Sequence, residues 1–268
     1  MKKTILLLLC VIYFVGANAQ LSAIFSKKKK ATDSTHIAIA PKPVTANTNL
    51  IAKKDWSKVD LSKRPADHFM LQYGLDTWTG KPDSIKTKGF SRHFNVYVMF
   101  DKPLNNNKKF SVAYGLGLGS SNIILDHRYA KVWANSTSLP FDSTTRYNKS
   151  KVTTIYAELP AEIRYYSDPE NPNKSWKMAV GVKLGTILKA YFKGKDLQDQ
   201  NGNSVYGPTY IKKEYDKKFF NSTLVTASAR IGYGAFSLHA DYQITSVIKP
   251  GYGPDMHTIS IGLSISGL

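Results

Sequence analysis

"KKFSVAYGLGLGSSN" occupies residues 108–122 and decides the fold of this chain. Large apolar side chains alternate in it with small ones, and the small positions include Gly115, Gly117 and Gly119. A period of two residues indicates a β-strand. A phosphate-binding glycine loop would need a helix directly after the glycines, and no helical pattern follows. The stretch therefore predicts a strand with bulk on one face and almost none on the other.

Eight segments of the chain show this alternation: 69–76, 93–100, 110–119, 155–164, 177–185, 225–232, 236–244 and 259–266. The connections after the second, fourth and sixth segments are short, whereas 127–150 and 192–218 are long and polar. An even number of strands, with short turns at one end and long loops at the other, is typical of outer-membrane barrels. The sequence predicts an all-β fold, an eight-stranded antiparallel up-and-down transmembrane β-barrel, with ten strands as the alternative count.

The two faces of these strands differ as they do in a membrane barrel. One face is almost uniformly apolar, whereas the other carries Glu, Lys, Arg, Asp, Gln and Ser. Lipid can contact the first face, and the narrow interior holds the second. Small inward residues such as Gly115, Gly117 and Gly119 would leave room there for larger side chains. Aromatic residues near the strand ends fit two interfacial girdles, and these are Phe69, Tyr73, Trp78, Phe94, Phe100, Phe110, Tyr165, Trp176 and Tyr233.

Pro160 lies in the middle of the fourth segment, where a closed barrel needs a backbone N–H. Proline lacks that donor, so we expect a bulge or a local break in the pairing at this point. The flanking residues alternate well, and the segment is still predicted to be a strand.

The N-terminus has the pattern of a secretory signal peptide. Lys2 and Lys3 precede the apolar run 5–15, and the tripeptide Ala-Asn-Ala ends at Ala19, after which cleavage is expected. The run is shorter than the roughly 20 residues of a transmembrane helix. Cys10, the single cysteine, lies within the run, so the exported chain would have neither a disulfide nor thiol chemistry.

The formal net charge is +18. So basic a chain suggests nucleic-acid binding, but an exported chain meets little nucleic acid, and we expect no such partner. Residues 20–65, with the lysine run 27–30, have the composition of a disordered basic periplasmic tether. The basic residues would solvate the loops, or contact anionic lipid head groups or an acidic partner.

Several stretches resemble the small outer-membrane β-barrel proteins of Bacteroidota known as PorT-like. They include GFSRHFNVYVMFDKP, FSVAYGLGLGSSNI, ELPAEIRYYSDPENPNKSWKMAVGVKLG and ARIGYGAF, and the likeness covers most of 54–268. The resemblance implies an outer-membrane barrel and, since the name-giving member works in type IX secretion, a link to envelope assembly. It implies no reaction and no catalytic residues. The chain ends in Leu268, whereas proteobacterial barrels commonly end in Phe or Tyr.

Two glutamates and a lysine are expected to share the barrel interior. Glu158 and Glu162 lie on one face of the fourth segment, and Lys183 falls either opposite Glu158 or between the two, depending on the register. Paired carboxylates suit acid–base chemistry. They also suit an ion-pair network that fills a narrow barrel, because buried charges need partners. We interpret them as such a network.

A second inward set lies on the seventh segment and its neighbours. Ser237, His239 and Asp241 are the residue types of a catalytic triad, but a spacing of two along one strand does not give the triad geometry. Arg230 is expected to approach Asp241 across the tight turn between the sixth and seventh segments, with Asp76 also facing inward. We predict that these residues join the interior polar network.

The two long loops are the other candidates for function, because loops on a rigid scaffold often carry it. The stretch DLQDQNGN at 196–203 offers acids and amides for calcium but lacks the spacing of a calcium loop. We predict no catalytic residues, no metal and no cofactor.

These patterns divide the chain into a signal peptide at 1–19, a tether at 20–65 and an outer-membrane barrel at 66–268. The expected role is non-enzymatic: binding, structure or assistance in envelope assembly such as secretion. The expected partners are outer-membrane lipid and an envelope or secretion protein that contacts the tether or the loops. A small pore or passive transporter is the alternative, followed by a barrel-embedded enzyme.

Overall fold

The computed structural model describes residues 69–88, 90–104, 107–126 and 128–267. The predicted signal peptide, its cleavage site and the predicted tether lie outside the described residues. Within the described ranges, no helix has the length and apolar character needed to cross a membrane.

The described residues form strands and their connections, with one short 3-10 turn at Pro172–Lys174. In chain order the strands are β1 Phe69–Thr79, β2 Arg92–Leu104, β3 Asn107–Leu125, β4 Tyr129–Ala130, β5 Phe141–Asp142, β6 Arg146–Tyr166, β7 Trp176–Gln198, β8 Ile211–Tyr215, β9 Thr223–Tyr233, β10 Phe236–Gln243 and β11 His257–Ser266.

Eight of these strands close into one antiparallel barrel. In the order β1, β2, β3, β6, β7, β9, β10 and β11, each strand pairs with the next. The barrel closes where β11 pairs with β1, from Met70↔Ser266 to Thr79↔His257. Closure removes the sheet edges, so each strand has backbone partners on both sides. The predicted eight-stranded up-and-down barrel is confirmed.

The side chains of the wall alternate between an apolar outside and a polar inside. Leu116 is 60% exposed, whereas Gln72 and His239 are buried. A soluble barrel has the opposite arrangement, and this one fits a wall that faces lipid. Trp78 is an exception among the predicted girdle aromatics, because it shares the inward face of β1 with Asp76 and is only 4% exposed.

The two long loops are shorter than the sequence predicts. Loops were expected at 127–150 and 192–218, but β6 begins at Arg146 and β7 continues to Gln198. β6 and β7 stay paired beyond the alternating segments because the hydrogen bonds between their backbones do not depend on apolar side chains. The short strands β4, β5 and β8 were also missed, and β8 pairs with β7 beside the barrel wall.

Pro160 interrupts the ladder on one side. Between β3 and β6 the register is continuous, but the ladder skips Leu159 and Pro160. On the other side, Pro160 pairs in register with Lys183 of β7. The expected local break is therefore present on the β3 side. The register shift between β6 and β7 lies four residues before Pro160, at Ile155/Tyr156.

The glycines of β3 let the neighbouring strands fill the interior. A Cβ at Gly117 would lie 2.1 Å from the carbonyl oxygen of Val96 and 2.4 Å from Cδ1 of Tyr97. A Cβ at Gly119 would lie 2.1 Å from Oε1 of Glu158. Tyr97 and Glu158 therefore occupy the space that the glycine face of β3 leaves open.

We expect Gly117→Ala to lower the free energy of unfolding by about 1–3 kcal/mol, because the added carbon collides with the backbone of β2. The measurement is the urea midpoint of the band shift between unboiled and boiled protein on a gel. Leu116→Ala, one residue away and facing outward, is the matched control and should shift the midpoint far less. Equal losses in the two variants would contradict this account of β3.

Candidate functional site

All seven charged or titratable residues that the sequence singled out are buried inside the barrel: Asp76, Glu158, Glu162, Lys183, Arg230, His239 and Asp241. Their direct contacts divide them into three groups along the strands. The groups interleave along the wall, since His239 of the third group pairs with Arg230 of the first.

The first group is built on one carboxylate. Oε2 of Glu162 accepts hydrogen bonds from Nη2 of Arg230 at 2.7 Å and from Nε of Arg164 at 3.1 Å. Arg230 and Arg164 both pair with Ala179 of the intervening strand β7, and Glu162 pairs with Gly181. These small residues on β7 let side chains from β6 and β9 meet across it.

This arrangement corrects the partner expected for Arg230. Across the tight turn, the residue opposite Arg230 is His239, and Asp241 lies two residues further along β10. The guanidinium therefore binds Glu162 on the far side of β7. Asp76 belongs to a different group.

The second group is built on Lys183, which pairs with Pro160 and so lies between Glu158 and Glu162 in register. Its ammonium donates to Oδ2 of Asp241 at 2.7 Å and to Oε1 of Gln72 at 2.9 Å. Neither glutamate is its ion-pair partner, because both are bound by other side chains. The two glutamates therefore belong to different groups, Glu158 with Tyr97 and Glu162 with the two arginines.

Tyr97 of β2 joins Glu158 to this group. Its hydroxyl donates to Oε2 of Glu158 at 2.6 Å, and its ring lies 5.2 Å from the ammonium of Lys183. Both contacts bury a charge against a partner, which is what an ion in a narrow interior requires. Tyr97 lies on the inward face of the second segment, but the alternation does not distinguish it from the other inward residues.

The third group is a chain of carboxylate and imidazoles. Oδ1 of Asp76 accepts from Nδ1 of His93 at 2.6 Å and from the hydroxyl of Ser260 at 2.6 Å. Oδ2 of Asp76 accepts from the hydroxyl of Ser121. Nε2 of His93 lies 2.8 Å from Nε2 of His239. An ionised Asp76 can only accept, so a neutral His93 carries its proton on Nδ1, and His239 donates to it.

The triad residues of β10 are not assembled in this group. Nε2 of His239 faces His93, and Asp241 is held by Lys183 of the second group. The two serine hydroxyls of this group, those of Ser121 and Ser260, bind Asp76. A serine nucleophile needs a hydrogen bond to an imidazole nitrogen. The geometry gives no support for acyl transfer at these residues.

An apolar cap, which the sequence did not predict, closes the interior at the long-loop end. Its side chains come from the upper parts of the strands and from all four connections at that end. They are Trp78, Ile85, Ile123, Leu125, Tyr129, Ala130, Val132, Leu139, Tyr147, Val152, Tyr156, Ile187, Ala190, Phe192, Phe219, Phe220, Leu224, Val247, Ile248 and Met256. The available signal was the presence of apolar pairs such as Phe219–Phe220 within otherwise polar loops.

Backbone hydrogen bonds join the connections that build the cap. The amide of Leu139 donates to the carbonyl of Tyr252 at 2.7 Å, and the amide of Lys249 donates to that of Phe219 at 2.9 Å. Phe220 and Ile248 form a further antiparallel bridge. The long-loop end is therefore a packed structure in which the connections hold one another.

A polar cluster anchors β4 to β8 at the side of the cap. Tyr129 donates its hydroxyl proton to Glu214, whose carboxylate also binds the ammonium of Lys212 at 2.9 Å. Burial, reinforced by the hydrogen bond to Glu214, raises the pKa of Tyr129 to about 12. The phenol thus keeps its proton, and with it this hydrogen bond, over the physiological pH range.

Beneath the cap, the second and third groups border a polar cavity of about 60 Å³. Its lining includes Asp76, His93, Glu158, Lys183 and Asp241. A space of this size holds a few water molecules. It is far smaller than the several hundred Å³ of a typical ligand pocket.

The candidate calcium stretch uses its carboxylates internally. Asp199 accepts from the backbone amides of Asn201 and Asn203 at 2.8 and 2.9 Å, and these bonds, led by those of Asn203, lower its pKa. Asp196 accepts from Asn148 at 3.1 Å and from Ser204. Within the described residues, no group of three or more His, Cys, Asp or Glu is placed to hold a metal ion.

The closed wall and filled interior define an outer-membrane β-barrel, and comparison with known proteins agrees. The family described as outer membrane protein beta-barrel domain matches residues 67–249. The chain belongs to this family, and the outer membrane is its location. No curated protein sequence matches the chain.

Among solved structures, the chain matches two crystal structures of Ail, the attachment invasion locus protein of Yersinia pestis. One is in complex with the heparin analogue sucrose octasulfate and is 13% identical to this chain; the other is 14% identical. Each match covers 74% of this chain and 94% of Ail, with a TM-score of 0.31.

We expect Lys183→Ala to destabilise the barrel by about 3–5 kcal/mol, because it leaves the carboxylate of Asp241 buried without its cation. The double variant Lys183→Ala/Asp241→Asn should recover part of that loss. Urea unfolding in detergent, followed by tryptophan fluorescence, gives the coupling energy of the double-mutant cycle. Strictly additive effects would show that this ion pair does not hold the interior together.

Proposed function

We propose that this protein is a non-enzymatic, non-conducting barrel that binds or supports an envelope protein at its long-loop end, as an accessory of envelope assembly. The observation that carries the proposal is the filled interior closed by the apolar cap. The barrel then serves as a membrane anchor for the surface built by its connections.

The interior supports a structural role rather than passage of solutes. Lys183 and Arg230 bind carboxylates directly, and Lys183 also reaches across the lumen to Gln72 of β1. The cavity that remains has a volume of about 60 Å³, and the apolar cap lies between it and the long-loop end. A solute would have to displace both paired charges and packed aromatic rings.

The long-loop end supports a binding role because its outer surface presents large aromatic side chains. Trp133 is 72% exposed and Tyr206 is 66% exposed. The ring of Tyr206 lies 5.0 Å from that of Tyr210, which packs against the cap. Rigidly held aromatic residues of this kind are enriched at protein interfaces.

The sequence resemblance to PorT-like barrels of Bacteroidota supports an accessory role in secretion or a related assembly. A basic tether at 20–65 would offer a second contact for such a partner on the periplasmic side. A non-enzymatic role also agrees with the hydrogen bonds of His239 and Asp241, which go to His93 and Lys183.

The purified, folded protein should give no steady current in planar lipid bilayers, because the interior is filled and capped. Single-channel recording over both signs of voltage is the measurement. The outward variant Leu238→Ala, which leaves the interior intact, serves as a control for leaks caused by handling. A steady ohmic current from folded protein would favour the pore instead.

A photo-cross-linking residue in place of Trp133 should give a discrete protein adduct in cells of the native host. The matched control is the same residue in place of Trp176, which is also exposed but lies next to the short turn between β6 and β7. Adducts are detected as shifted bands on immunoblots. Equal labelling at both sites, or none at Trp133, would count against a partner at the long-loop end.

A further inference from the structure

Five lysines lie opposite one another on three neighbouring strands. Lys151 of β6 pairs with Lys193 of β7, which in turn pairs with Lys213 of β8. Two residues further along, Lys149 pairs with Lys195. Directly opposed residues share one face of a sheet, so these side chains form one surface, which we call the lysine face.

The lysine face points away from the barrel. Val152 and Phe192, the neighbours of Lys151 and Lys193 in sequence, are buried in the apolar cap. Since successive side chains of a strand point to opposite faces, the lysines lie on the outer surface. On β8 the same rule applies, because Glu214 reaches the cap residue Tyr129 and Lys213 is exposed.

Like charges directly opposite each other on paired strands are destabilising, and the lysine face contains three such pairs. In the part of the chain that the structure describes, its five lysines form ion pairs with no carboxylate. Lys151 donates only to the amide oxygen of Asn122, at 2.9 Å. Nearby, Lys88 is already paired with Asp126. The surface therefore carries uncompensated positive charge.

The order of residues along the wall places this charge at the membrane surface. Leu184 and Leu188 of β7 are about half exposed and belong to the apolar band. Next come the exposed Lys189 and the rings of Tyr191 and Tyr215, which lie 5.2 Å apart, and the ammonium of Lys189 lies 4.6 Å from the centre of the Tyr215 ring. The first lysine row follows two residues later, which is about 7 Å along a strand. Apolar, aromatic and then cationic is the order of a hydrocarbon core, its interface and its charged head groups.

A groove runs over the same surface. Its volume is about 430 Å³, and its lining includes four lysines of the lysine face together with Ile124 and the exposed Phe90. Ile124 pairs with Lys151, so an apolar side chain borders the row of lysines. This combination matches an amphiphile with an anionic head and an apolar body, and an acidic protein has no reason to approach the wall beside lipid.

We propose that the lysine face binds the phosphate groups of a phosphorylated lipid in the outer leaflet, with the acyl chains of that lipid against the apolar band. The proposal depends on the membrane location of the barrel and not on the accessory role proposed above. Failure of either proposal leaves the other intact.

The test uses the full exported chain in nanodiscs of phosphatidylcholine doped with diphosphorylated lipid A. Extraction into mild detergent and mass spectrometry then count the lipid A molecules retained per barrel. We expect the triple variant Lys151→Gln/Lys193→Gln/Lys213→Gln to retain lipid A about 100-fold less strongly, since each lysine near an anionic surface contributes roughly fivefold. The control Lys102→Gln/Lys108→Gln/Lys174→Gln, at the short-turn end, removes the same charge and should bind like the native chain.

Three results would overturn the proposal. They are equal losses in both triple variants, equal retention of dephosphorylated lipid A, and displacement of the lipid by inorganic phosphate at millimolar concentration, which would indicate a free-anion site. Folding is checked by the gel mobility of unboiled protein. In pure phosphatidylcholine the triple variant should be at least as stable as the native chain, because it removes like-charge pairs. A loss of stability there would instead assign the lysines a structural role.

Discussion

Closure of the sheet between β1 and β11 is the constraint on which the rest of the structure depends. In lipid, an unpaired backbone amide or carbonyl costs several kcal/mol, so a membrane-spanning sheet must have no edge. Once the ladder from Met70↔Ser266 to Thr79↔His257 has formed, the outer face needs only apolar side chains. The polar side chains are then confined to an interior too narrow for hydrated ions.

That confinement explains the pairing inside. Some buried charges are bound by a partner that reaches them across a strand with small side chains, as Arg230 reaches Glu162 over Ala179 and Gly181 of β7. The glycines of β3 likewise leave room for Tyr97, which lies over Gly117 and binds Glu158. Above these groups the apolar cap covers the interior, so the polar contacts are protected from bulk water.

The tall hairpin of β6 and β7 links the interior to the outer surface. Above the apolar band its inner side chains, such as Val152 and Phe192, build the cap. Its outer side chains, such as Lys151 and Lys193, form the lysine face. One pair of strands thus stabilises the long-loop end from within and presents charge at the level of the head groups. Binding at the loops and binding of lipid at the wall would then occur on the same rigid element.

The sequence by itself determined the inward and outward faces and the interior position of residues such as Glu158 and Lys183, and it favoured eight barrel strands, because a two-residue alternation is a local property. It also indicated a break at Pro160. Tertiary structure alone decided which charges meet, since partners two strands apart depend on the register of every strand between them. For the same reason His93 and Tyr97 could not be selected from the other inward residues. The cap and the added length of β6 and β7 depend on contacts between parts of the chain that are distant in sequence. Such contacts produce no two-residue alternation.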